Sequence, residues 1–63
     1  MINTVTVRFC EESGTWCAED NVTGQDGYRS KLAAEYAARI KAWGSDYPSP
    51  QEADERVKDG WKP

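Results

Sequence analysis

The stretch Thr4-Val5-Thr6-Val7-Arg8-Phe9-Cys10-Glu11-Glu12-Ser13-Gly14-Thr15-Trp16-Cys17-Ala18-Glu19-Asp20-Asn21-Val22-Thr23 decides the fold. Thr4 to Cys10 alternates polar with apolar residues and is rich in β-branched types, and the pattern resumes at Thr15 after Ser13-Gly14. Period-two alternation broken by a glycine predicts an antiparallel β-hairpin over about 4–23. Ser13-Gly14 as a two-residue loop, or Glu12 to Thr15 as a four-residue loop, sets one and the same register. Val5 then faces Val22 and Phe9 faces Ala18, with Trp16 on the same, buried, side. The reverse side pairs Arg8 with Glu19, Thr6 with Asn21 and Cys10 with Cys17. A slip of one residue would set Phe9 beside Cys17 and Glu19 and mix the two faces, so this register is the expected one.

Beyond the hairpin, Gly24-Gln25-Asp26-Gly27 reads as a turn or loop, and Tyr28 with Arg29 could add a short third strand. Lys31 to Trp43 reads as a helix: its alanines favour that conformation, Ser30 can cap it and Gly44 can stop it. Leu32, Tyr36, Ile40 and Trp43 recur at helical spacing and are the expected core stripe, with Ala33 and Ala37 beside it, packed on Val5, Val7 and Phe9. Lys31, Glu35 and Arg39 fall on the other side, spaced to pair in sequence. Ser49-Pro50-Gln51-Glu52 is a capping box with proline at the first helical position, and Gly60 a stop, so a short helix is predicted over about 50–59. Ala53 and Val57 face inward, and Trp61 can fold back onto the core.

The chain of 63 residues then makes one small α+β domain, 1–63. A two-stranded antiparallel hairpin, with a possible short third strand, is covered by one long helix (about 31–43) and followed by a short C-terminal helix. A domain this size has little margin between burial and ordering entropy, so its three tryptophans and three tyrosines matter.

Composition excludes several kinds of work. Histidine is absent, which removes the usual neutral-pH acid–base group and the commonest metal ligand. No phosphate-binding loop, dinucleotide fingerprint, calcium loop or nucleophile elbow occurs. No enzyme activity, cofactor or metal is therefore expected. No apolar run has the length of a membrane span, and the first residues lack a signal peptide's basic leader and apolar block. A cytoplasmic protein is expected, with Cys10 and Cys17 as thiols. Opposed positions would also bring the two sulfurs within bridging range.

The net charge of −3 is unevenly spread. Through Tyr28, Arg8 stands against Glu11, Glu12, Glu19, Asp20 and Asp26; from Arg29 to Lys41 four cations face only Glu35. Glu11, Glu12, Glu19 and Asp20, with Trp16, form a candidate surface for a protein partner with a basic face. The same carboxylates also suit a solvated tip that resists edge-to-edge aggregation. Arg29, Lys31, Arg39 and Lys41 form an alternative basic face that could hold phosphates, with Tyr28 available to stack a base. Self-association to complete a small core, as a homodimer, is a third reading.

In size, acidity and hairpin-plus-helix economy the chain resembles the small accessory proteins of bacteriophages, including anti-CRISPR and other host-takeover inhibitors. That resemblance implies a protein that binds and blocks a host protein or defence complex, and it transfers no particular residue.

Overall fold

The computed structural model describes residues 5–20 and 23–62. Three antiparallel strands, β1 (Thr6–Cys10), β2 (Thr15–Glu19) and β3 (Gly24–Tyr28), are followed by two helices, α1 (Lys31–Ala42) and α2 (Pro50–Lys58). The sheet order is β1-β2-β3, so β2 is central.

The hairpin forms where the alternation predicts it, but its register differs. Phe9 faces Trp16, Val7 faces Ala18, Arg8 faces Cys17 and Thr6 faces Glu19. The loop is Glu11 to Gly14, closed by the Gly14 N–H donating to the Cys10 carbonyl at 2.8 Å. Gly14 takes a φ of +70°, which suits glycine. The Ser13 and Thr15 hydroxyls add a 2.7 Å hydrogen bond across it. The displacement from the expected register is two residues on the partner strand. Because strand faces repeat every second residue, each side chain keeps its face and only its neighbour changes. Phe9 thereby gains a direct edge-on contact with Trp16, ring centroids 5.3 Å apart. Cys10 and Cys17 become diagonal rather than opposed, and they form a disulfide with Cα atoms 6.6 Å apart. The expectation of two thiols is corrected accordingly. The expected Val5–Val22 pair involves Val22, which lies outside the described residues. Thr6 opposes Glu19, not Asn21.

The segment expected to be a turn is instead β3. Trp16 pairs with Tyr28 but Ala18 with Gln25, so β3 carries a bulge of one extra residue there. Gly27 sits in that bulge at φ +91°, so the glycine bends a strand rather than ending one. Between β2 and β3 the Asp20 carboxylate accepts from the Thr23 N–H at 2.6 Å.

Both helices begin and end at the expected signals. Ser30 Oγ accepts from the Ala33 N–H at 3.1 Å, and Ser49 Oγ accepts from the Glu52 N–H at 3.2 Å. At the far ends Ser45 N–H donates to the Ile40 carbonyl and Trp61 N–H to the Arg56 carbonyl, each 3.2 Å, looping past Gly44 and Gly60.

The core face of α1 is rotated from the expected one, centring on Ala33 and Ala37, which periodicity places only beside the stripe. Ala33, Ala34, Ala37 and Ala38 are buried, together with Ala18, Tyr28 and Ala53. Leu32, Tyr36 and Ile40 are only half-buried, and Trp43 is 72% exposed. The alanine face lies roughly a third of a turn round the helix from the Leu32–Trp43 stripe. Small side chains let α1 approach the sheet closely, and one large group, Tyr28, fills the space between the layers. Its hydroxyl donates to the Pro48 carbonyl at 2.6 Å, tying β3 to the segment before α2. The displaced stripe turns toward the C-terminal end, where Tyr36 meets Trp61 edge-on at 5.3 Å.

Candidate binding surface

The hairpin tip projects Glu11 and Glu12 into solvent, beside a shallow depression of about 380 Å³ lined by Arg8, Phe9, Cys10, Glu11 and Glu12. Phe9 is 48% exposed, against the expectation that it joins the core. It stands on the outer strand, near the loop, and its one ring neighbour among the described residues is the half-buried Trp16. The disulfide crosses the base of this tip and limits how far its two legs can separate.

The other acidic residues singled out from the sequence are engaged. Glu19 receives the Arg8 guanidinium at 3.0 and 3.1 Å across the open sheet face. Asp20 accepts from the Thr23 N–H and lies 3.8 Å from the Lys41 ammonium. Carboxylates are thus divided by geometry: Glu19 and Asp20 maintain the hairpin, whereas Glu11 and Glu12 face solvent at its end.

The basic face is similarly reduced. Arg29, Lys31 and Arg39 are exposed, but Lys41 is half-buried over the Tyr47 ring, 5.4 Å from its centroid. No ion pair links Lys31, Glu35 and Arg39 among the described residues, contrary to the spacing argument. Tyr28, the expected base-stacking residue, is fully buried. Burial pushes its phenol well above the ordinary tyrosine range, with Tyr47 adding to the rise. Burial, with Asp20 as a second cause, also raises the Tyr47 phenol.

Among the described residues no cluster of three or more His, Cys, Asp or Glu side chains could hold a metal ion. No described helix is long and apolar enough to cross a membrane. The features that sequence reasoning missed are the exposed aromatics Phe9 and Trp43. Neither has a local signal, because both sit at positions whose spacing points inward. The chain matches no protein-family model, no curated protein and no solved structure.

Proposed function

We propose that the protein is a non-enzymatic binding module that occludes a macromolecular partner carrying a basic surface, and that the hairpin tip makes the contact. The observation that carries this reading is Phe9, a half-exposed aromatic beside two solvent-facing carboxylates at the end of the hairpin. An aromatic anchor with charges at its rim is a common make-up of a protein contact, the ring supplying burial and the charges steering the encounter. Blocking a host protein, as the small phage inhibitors it resembles do, is the physiological form of this proposal. Nucleic-acid binding through Arg29, Lys31 and Arg39 is the weaker reading, since Tyr28 and Lys41 are taken up internally.

The test is capture from extract with the tagged chain, run with and without nuclease. A partner retained after nuclease, and lost on Glu11→Lys with Glu12→Lys or on Phe9→Ser, supports the reading. Capture that disappears with nuclease, or with Arg39→Glu and Lys31→Glu while the tip variants bind normally, transfers the function to the basic helix. Cytoplasmic location belongs to the same proposal. Thiol alkylation in fresh extract reports it, because Cys10 and Cys17 stay bridged in an oxidising compartment and react in a reducing one.

A further inference from the structure

β1 is an outer strand, paired on one side with β2 and bordered on the other by no strand among the described residues. Beside it an open groove of about 490 Å³ runs between the strand and α1. Its floor is apolar, formed by Val5, Val7, Ala38 and Ala42, and its outer wall carries Glu35 and Arg39. Those two residues are one helical turn apart, carry opposite charge and have no ion-pair partner among the described residues. A free strand edge next to an apolar strip is a template for adding another strand.

We propose that this face is the seam of a homodimer in which β1 pairs antiparallel with β1 of a second copy. The seat is self-complementary. A two-fold axis perpendicular to the sheet at Thr6, the first residue of β1, sets Val7 of each chain beside Val5, the residue preceding β1, of the other and Thr6 beside Thr6. The same axis runs the two α1 helices antiparallel, which brings Glu35 of each chain to Arg39 of its partner. Spacing agrees with this arrangement. Neighbouring strands lie about 4.8 Å apart, so the axis passes about 2.4 Å outside β1. Helix α1 lies over both β1 and β2. Its axis is thus about 5 Å from the two-fold, and the two copies of α1 stand about 10 Å apart, within the usual range for packed helices. Pairing continues the sheet to six strands, closes both grooves and leaves the two acidic tips free at opposite ends. It stands independently of the role proposed for the tip.

Sedimentation equilibrium from micromolar to millimolar protein tests the proposal with no partner present, so it can fail while the tip reading survives, and the reverse. Wild type is expected to dimerise. Glu35→Arg alone and Arg39→Glu alone each set like charges against one another on both sides of the axis and should weaken the dimer by roughly tenfold or more. An equimolar mixture of the two single variants should restore it, because every cross-axis pair is then of opposite sign. A disturbance of the helix within each chain could not be repaired by mixing. Circular dichroism checks that both variants remain folded. A monomeric wild type at millimolar concentration, single variants that associate as well as wild type, or a mixture that gains nothing would each overturn the proposal.

Discussion

Replacing Tyr28 by phenylalanine removes one oxygen from the most enclosed large side chain in the protein. That oxygen donates at 2.6 Å to the carbonyl of Pro48, itself a buried residue, so the variant leaves a buried acceptor without its donor. Such a loss costs about 1–3 kcal/mol. A domain of this size rarely holds more than about 3–5 kcal/mol in total, so the change removes a large share of its stability. At about 4–8 °C per kcal/mol, the midpoint Tm should fall by roughly 5–20 °C. Thermal and urea denaturation followed by circular dichroism measure this, with an unchanged urea slope showing that the same surface is exposed. The variant makes a second, alkaline, prediction. In the unfolded chain the phenol ionises near 10.0, while burial keeps the folded form protonated to higher pH. Above that pH the unfolded state binds fewer protons than the folded state, so stability is complete below pH 10 and is lost as pH rises. The decline approaches about 1.4 kcal/mol per pH unit for this one group. Phenylalanine has no proton to lose, and Tyr47 is common to both proteins. The gap between wild type and variant should therefore narrow from pH 8 to pH 11. A variant within about 0.5 kcal/mol of wild type at neutral pH, or a gap that stays constant with pH, would refute the reasoning.

Four further outcomes are expected. Cys10→Ser with Cys17→Ser should lose about 2.5 kcal/mol, the loop-closure value for so short a ring, and its urea midpoint should no longer respond to dithiothreitol. Ala37→Leu should cost about 1–3 kcal/mol by overfilling the helix–sheet contact, whereas Trp43→Ser should stay within about 0.5 kcal/mol; thermal melts would show the smaller residue to be the more sensitive. Gly27→Ala should cost more than about 1 kcal/mol in urea denaturation, since φ there is +91° and the added methyl meets Pro50 Cγ at 3.3 Å. Glu11→Lys with Glu12→Lys should leave Tm unchanged, because exposed carboxylates at a loop contribute little to folding.

Local chemistry made much of this protein legible in its sequence. The hairpin's existence and its two faces follow from alternation alone, and both helices begin one residue after their serine and end two residues before their glycine, because capping is settled by groups a few residues apart. Glu11 and Glu12 could likewise be placed at an exposed tip. Features set by the meeting of elements were not legible. The two-residue change of register conserves every face, so face-based reasoning could not detect it; the direct pairing of Phe9 with Trp16 distinguishes the observed register. Third-strand residues Gly24 to Gly27 look like a turn until β2 supplies a ladder for them to join. Hydrophobic periodicity gave α1 a core stripe of its largest residues, yet its alanines are buried, because the helix lies close to a sheet whose Tyr28 already fills the gap. That choice leaves Trp43 exposed, turns Tyr36 toward Trp61 and sets Glu35 and Arg39 along the open edge of β1. Short-range hydrogen bonding thus determined where each element starts and stops, while close packing between layers, which depends on shape across the whole domain, decided which side of each element became surface.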